Sequence, residues 1–269
     1  MSRFSAYPRR LVSTHNLNLV LVYSQWFHTE QDFLLKRLEC VKTGYNRKLC
    51  CMEGTRESLL NTIFAWVADK SGQAGASNIY WVYGLPGIGK TSLAHSICAR
   101  LHDIKHLAGA FFCRRDDAPL SEPRNILPTL IYTLADSFPP FRIVVAGRLR
   151  SDSKLTPESM KDSLFLDFIR ALPRHPIHPL VFVIDALDEC SDDQSRRVLL
   201  NVLIDAAALA PWLKIIITSR PEVDIQRFFD ASTRSTLLRH DLTTDEEATS
   251  DLRIFAQARF TRVAEKRHL

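Results

Sequence analysis

The run Gly84-Leu85-Pro86-Gly87-Ile88-Gly89-Lys90-Thr91, followed by Ser92, fits the spacing G-x-x-x-x-G-K-[ST]. Each position has a chemical reason. Glycines let a backbone curl until successive N–H groups point inward at phosphate oxygens. A helix starting just after the loop adds its partial positive charge at the same point. Lys90 is placed to neutralise β- and γ-phosphates, and the Thr91 hydroxyl to bind Mg²⁺. The chemistry implied is that of a magnesium nucleoside triphosphate, ATP or GTP. Adenine is favoured, because the sequence has no Asn-Lys-x-Asp segment of the kind that reads guanine.

Two further runs supply acids and a cation. Leu180-Val-Phe-Val-Ile184 leads into Asp185-Ala-Leu-Asp188-Glu189-Cys190. Asp185, at the end of an apolar strand, is expected to reach Mg²⁺ through its water shell. A carboxylate just beyond it could orient or deprotonate an attacking water; Glu189 is favoured for this task, with Asp188 as its partner. An acidic helix start would also account for both residues. Leu213-Lys-Ile-Ile-Ile217 leads into Thr218-Ser219-Arg220-Pro221, which puts Arg220 at a strand end, where ligands of open α/β sheets bind. Its guanidinium is expected to face the γ-phosphate; a solvated strand-end arginine is the plainer reading.

These motifs need elements to hold them. Thr55 is expected to cap a helix running to about residue 69, with Leu59, Leu60, Ile63, Phe64 and Val67 on one stripe. A strand over Asn78–Tyr83 precedes the glycine loop, and a helix from Lys90 to His102 follows it, with Leu93, Ala94, Ile97, Cys98 and Leu101 inward. Further strands are expected at Ala108–Cys113, Leu180–Ile184, Leu213–Ile217 and Ser235–Leu238. Helices fill 125–172, broken at Pro139-Pro140. Helix 193–209 turns Val198, Leu199, Val202, Leu203 and Ala206 inward, and a helix over 244–260 is capped by Thr244 ahead of Glu246-Glu247. Strands alternating with helices of this length imply a three-layer α/β fold with a parallel sheet.

The bulk properties narrow the classes. At 269 residues and 46% hydrophobic, the chain can bury one good core. The net charge of +5 sits in the first 50 residues, which carry eight Lys/Arg against three acids. Residues 51–269 hold 27 of each sign, so the body offers no electrostatic footprint for nucleic acid. The six cysteines form no C-x-x-C pair, and Cys98, Cys113 and Cys190 fall in apolar runs where the thiol packs as a small hydrophobe. A reducing compartment, the cytoplasm, is expected. No apolar run reaches the length of a membrane span. Residues 1–50 have no readable period beyond Leu34-Leu35, Leu38 and Val41, and are expected to be a poorly ordered basic leader; 51–262 would be the folded domain and 263–269 a tail.

Together these runs resemble the NACHT-type nucleotide-binding domain of signalling P-loop NTPases, in the fungal NACHT–WD40 group with a nephrocystin-3-like N-terminal domain. The resemblance spans roughly residues 50–260. Besides the motifs above it rests on Cys51-Met-Glu-Gly54-Thr55-Arg56, Ile79-Tyr80-Trp81-Val82-Tyr83-Gly84 and Phe111-Phe112-Cys113-Arg114-Arg115-Asp116. It implies that one strand, Leu213–Ile217, is inserted between the P-loop strand and the Asp185 strand. It also implies that Thr55 and Arg56 lie against the base. Arg114 and Arg115 either face the phosphates or belong to a solvated turn. Members of the family are slow molecular switches that pair with themselves or with partner proteins. In them winged-helix and repeat-sensor regions follow the nucleotide domain, and this sequence ends at Leu269 before any such region. A truncated or degenerate fragment with little activity is therefore one alternative, and a small-molecule kinase or free-running ATPase another. The acids at the end of the Asp185 strand suit a water nucleophile better than a bound acceptor.

Overall fold

The computed structural model describes residues 29–69, 78–152, 162–172, 176–231, 237–245, 250–251, 253–257 and 260–261. Five runs of β-branched and aromatic residues become strands: β1 (Ile79–Tyr83), β2 (Leu107–Phe112), β3 (Leu180–Asp185), β4 (Leu213–Ser219) and β5 (Leu237–Asp241). They pair in parallel in the order β2-β3-β4-β1-β5. The inserted strand is thus where the resemblance puts it: β4 lies between β1 and β3, with Ile79 opposite Ile215 and Ile217 opposite Ile184. Because neighbouring strands are roughly 5 Å apart, the three strand ends that carry the motifs open side by side.

Both faces of the sheet are covered, which is why the central strands read as unbroken apolar runs. Helices α2 (Glu57–Ala68) and α3 (Lys90–Asp103) close one face over Tyr80, Val82, Val181, Val183 and Ile216. The other face, with Trp81, Phe182, Ile184, Ile215 and Ile217, packs against α5 (Ile126–Ser137), α6 (Pro139–Ser151), α7 (Asp162–Arg170), α8 (Asp193–Leu209) and α9 (Val223–Ala231). Between β2 and α5 lies the single turn α4 (Ala118–Ser121). Trp81 lies with its ring 4.7 Å from Phe229 and donates its indole N–H to the Ser219 hydroxyl at 2.8 Å, tying β1 to the end of β4. The break at Pro139-Pro140 falls where expected, with proline opening α6 at a position that needs no N–H partner. Among the described residues no helix is long and apolar enough to cross a membrane.

The structure departs from the expected boundaries in several places. Residues 29–50 are packed on the body. Helix α1, over 29–35, and the 3-10 turn Lys36–Leu38 bury Leu34, Leu35 and Leu38 in the same core as α5 and α6. Beyond them the chain runs along the β2 edge, where the Thr43 hydroxyl accepts the Phe112 N–H at 3.1 Å and blunts an otherwise open edge. Asn46 N–H then reaches His95 Nδ1, and Cys51 N–H the Ser96 hydroxyl, both on α3. The leader expected over 1–50 therefore belongs to the fold from residue 29 on; residues 1–28 and the tail lie outside the described residues. Thr55 does not cap α2: its hydroxyl donates to Met52 O, and the residue at the cap position is Arg56 at φ 59°. Thr244 sits in a turn and donates to Asp241 O. The last helix, α10, is described from residue 250, and 246–249 lie outside the described residues. Strand β5, described over Leu237–Asp241, runs past the expected end at Leu238, and the expected start at Ser235 lies outside the described residues. Val198 is 38% exposed, and Leu200, Ile204 and Ala207 join the buried side of α8 instead.

Gly109 is where β2 and α5 come closest. A Cβ there would lie 2.1 Å from the Thr133 hydroxyl oxygen and 3.1 Å from its Cβ. Gly109→Ala should therefore destabilise the protein by about 1–3 kcal/mol, as overpacking does, read as a lower urea midpoint. Thr133→Ala in the same chain should restore part of the loss. An unchanged midpoint in Gly109→Ala would refute this packing.

Candidate functional site

The loop after β1 turns on two glycines in the left-handed region, Gly87 at φ 77° and Gly89 at φ 99°. A side chain at either would be strained, and nothing lies within 4 Å of where its Cβ would be. Gly89 occupies the cap position of α3, and no side chain caps that helix. Its first-turn amides therefore face the loop without a side-chain cap among the described residues. Lys90 folds over the same concavity, its Nζ donating to Gly84 O at 2.7 Å and to Leu85 O at 2.9 Å. Burial depresses the Lys90 pKa, opposed by the Asp188 carboxylate; Arg220 acts with burial, and Asp185 and Glu189 against it. The groups at the ends of β3 and β4 thus all act on the loop lysine.

Asp185, at the end of β3, is 2% exposed. The Thr218 hydroxyl, at the end of β4, donates to Asp185 Oδ1 at 2.5 Å and accepts the Ala186 N–H at 3.0 Å. The Thr91 hydroxyl, on the first turn of α3, lies near enough to lower the Asp185 pKa as well. Burial pushes the carboxyl from 3.8 up to about 6; the two threonine hydroxyls pull it down, and Glu189 and Asp188 push it up. Thr91 and Asp185, paired in the sequence reading as magnesium ligands, are thus brought to the same end of the sheet. A buried carboxylate raised by lost hydration fits a divalent cation, whose charge would offset that loss. An ion held by one hydroxyl and one carboxylate keeps positions for water and phosphate, as Mg²⁺ prefers.

Past β3 the chain makes a 3-10 turn, Leu187–Glu189, after Ala186 at φ 55°. The two acids there have different partners. Asp188 is buried: its Oδ1 accepts the Arg220 backbone N–H at 2.9 Å and its Oδ2 faces Arg220 Nε at 3.2 Å. Glu189 is half-buried, and its Oε2 accepts the Arg115 backbone N–H at 3.1 Å. Neither starts a helix, since α8 is capped by Asp192. Arg114 and Arg115 are exposed in the turn after β2.

Arg56 meets the loop from the other side. One of its terminal nitrogens donates to Ile88 O at 3.1 Å and the other to Asp245 at 2.7 Å, while Asp251 accepts its backbone N–H. Thr55 is buried beside it with its hydroxyl turned to Met52. The structure therefore brings Gly84–Ser92, Asp185, Asp188, Glu189 and Arg220 together, and places Thr55 and Arg56 where the loop meets the C-terminal segment. Sequence reasoning gave no role to Thr218 or Arg196. Arg196 is buried on α8 and bonds to Cys190 O at 2.9 Å and to Asp224 on α9 at 2.9 Å, joining the chain beyond Glu189 to the chain beyond Arg220. A buried arginine gives no such signal in a helical stripe, whereas Thr218 was legible as a hydroxyl closing an apolar strand.

Comparison with known proteins places this chain among described families. The family described as "Nephrocystin 3, N-terminal" matches residues 54–220, more than half of the chain. No curated protein matches it. A structure of Drosophila ORC bound to DNA is similar at TM-score 0.43 and 10% identity, over 90% of this chain and 36% of that one. Drosophila ORC bound to AT-rich DNA and Cdc6 gives 0.44 and 10%, over 90% and 35%. A Walker-type ATPase of Pyrococcus abyssi gives 0.41 and 14%, over 78% and 59%. The chain thus spans about a third of the ORC chains and less than two thirds of the ATPase.

The buried Asp185 carboxyl has a consequence for stability. Its folded pKa, about 6, lies above the unfolded value, so its relative contribution is full below pH 4 and is lost as pH rises through about 6. Ionising it in magnesium-free protein costs about 3 kcal/mol at most. Asp185→Asn should therefore be more stable than the parent at pH 8 by up to that amount, the gain shrinking to nothing near pH 4. Urea unfolding at several pH values checks this, and a difference that does not vary with pH would contradict it.

Proposed function

This chain belongs to the nephrocystin 3 N-terminal family, and from that premise we propose that it is the nucleotide-binding domain of a NACHT-type signalling NTPase, a slow switch that takes Mg-ATP in preference to Mg-GTP. The observation that carries the reading is the convergence at three adjacent strand ends. An uncapped helix start with Lys90 follows β1, the Thr91–Asp185–Thr218 cluster closes β3, and Arg220 leaves β4.

Each group has a task in that reading. The Gly87–Ser92 amides and Lys90 Nζ bind the β- and γ-phosphates, with Lys90 giving up the Gly84 and Leu85 carbonyls for phosphate oxygens. Thr91 and Asp185 would hold Mg²⁺, which would supply neutralisation of phosphate charge. Glu189 takes the proton of the attacking water. Its Oε2 accepts the Arg115 N–H, which orients the carboxylate and leaves Oε1 to face the water. Arg220 approaches the γ-phosphate from the end of β4.

Titration calorimetry on the full chain tests the reading. Saturable Mg-ATP binding is expected, weakened about 10- to 100-fold in Lys90→Ala, the loss of one charge-assisted hydrogen-bonding group. A folded protein that binds no nucleotide in the presence of magnesium would overturn the reading. Glu189→Gln should bind ATP as the parent does but hydrolyse it roughly 10²- to 10⁴-fold more slowly. Undiminished turnover in this variant would remove Glu189 from the chemistry.

A further inference from the structure

Asp188 and Glu189 are neighbours, yet the structure spends them differently. Among the described residues Asp188 pairs with Arg220 and meets it twice: Oδ1 on the backbone N–H at 2.9 Å and Oδ2 opposite Nε at 3.2 Å. The Asp188 side chain is 2% exposed, whereas that of Arg220 is 38% exposed. Both carboxylate oxygens are thus turned onto one residue and away from solvent, which is the wrong arrangement for a group that must accept a proton from water. It is the right one for fixing direction. Holding the N–H sets where the chain leaves β4, and holding Nε sets the plane of the guanidinium. The terminal Nη groups make no hydrogen bond among the described residues and are left for another acceptor.

The surroundings support this division. Asp188 and Arg220 both act on the Lys90 ammonium, so the pair lies within electrostatic reach of the phosphate loop. Arg196 joins the same two chain segments a second time, through Cys190 O on one side and Asp224 on the other. The separation between the turn bearing Asp188 and the start of α9 is therefore set by a separate buried contact, and Asp188 is free to determine aim.

We propose that Asp188 is a positioning residue that aims the Arg220 guanidinium at the terminal phosphate of a bound nucleoside triphosphate, and so sets how strongly triphosphate is preferred over diphosphate. The proposal rests on the nucleotide-binding reading above. Its test measures Mg-ATP and Mg-ADP affinity in the full chain for the parent, Arg220→Ala, Asp188→Asn and the double variant. Asparagine keeps an acceptor for the Arg220 N–H but turns an amide toward Nε. The ratio of ATP to ADP affinity should fall about tenfold in Arg220→Ala, as for loss of a charge-assisted hydrogen bond. It should fall by a similar factor in Asp188→Asn and no further in the double variant, with ADP affinity little changed throughout.

Several results would overturn the proposal while nucleotide binding stands. One is an equal loss of ATP and ADP affinity in Asp188→Asn, which marks a merely structural carboxylate. Another is an intact ratio with abolished hydrolysis, which makes Asp188 the group that acts on water. Additive losses in the double variant would show two independent contacts. A parent protein that binds neither nucleotide would bring down the earlier reading as well, and is recognised by its failure before any variant is compared.

Discussion

A carboxylate held without water is the constraint on which the site depends. Asp185 closes β3 at a point where the sheet is covered on both faces, and its charge is supported by hydroxyls from the two neighbouring elements, Thr218 and Thr91. A hydroxyl can donate to a carboxylate without bringing a competing positive charge, so the site stays acidic while remaining partly solvated by the protein. Burying this carboxyl costs stability once it is ionised, a cost common at ligand-binding sites. Thr218 does a second job with its other electron pair, accepting the Ala186 N–H and thereby fixing the left-handed residue that turns the chain toward Asp188 and Glu189.

That cluster exists only because of strand order. If β3 neighbored β1 directly, Asp185 would lie beside the glycine loop with no hydroxyl from a strand between them. With β4 inserted, Thr218 and Ser219 stand between the loop and the acid, and Arg220 emerges in the gap. Ser219 accepts the Trp81 indole N–H, so the position of β4 against β1 is set by a buried hydrogen bond as well as by the ladder. The second clamp, Arg196, fixes the far side of the same gap. A buried arginine is stable there because acceptors from three segments, Cys190 O, Asp193 and Asp224, satisfy it.

Much of this was legible because the signals were local. Strands β3 and β4 are continuous apolar runs, and the loop motif declares both the strand before it and the helix after it. The inserted order of β4 could not be read from composition or period; it came from the resemblance to a family. What escaped was tertiary. Residues 29–50 carry too few turn signals and too short a helix to show a period, and what holds them beyond three leucines is contact with side chains far along the chain, such as Thr129 on Val41 N–H and His95 on Asn46 N–H. Thr55 had the right chemistry for a cap, but the hydroxyl of a threonine can equally bond backward to a carbonyl, and Met52 O won. The unequal fates of Asp188 and Glu189 were also invisible, because adjacent residues in a 3-10 turn face different neighbours and the neighbours here come from β4 and from the turn after β2.

The polar groups around the loop are engaged with one another, and this gives the proposed switch a physical content. Lys90 is on two loop carbonyls, Glu189 on the Arg115 N–H, and Arg56 spans the Ile88 carbonyl and the acids Asp245 and Asp251. Under that proposal, phosphate arriving at the α3 amides would draw Lys90 off Gly84 and Leu85, and the loop carbonyls that it leaves would re-aim. Ile88 O is one residue from Gly89, whose backbone sits in the left-handed region and can absorb such a rotation. Arg56 would carry that movement to Asp251, in the described part of α10. The differential contact a ligand needs in order to shift a conformational equilibrium is thus a short chain, phosphate to loop carbonyl to Arg56 to two carboxylates. Its strength depends on Arg56 being poor in solvent, since an exposed pair would transmit little, and its side chain is 10% exposed.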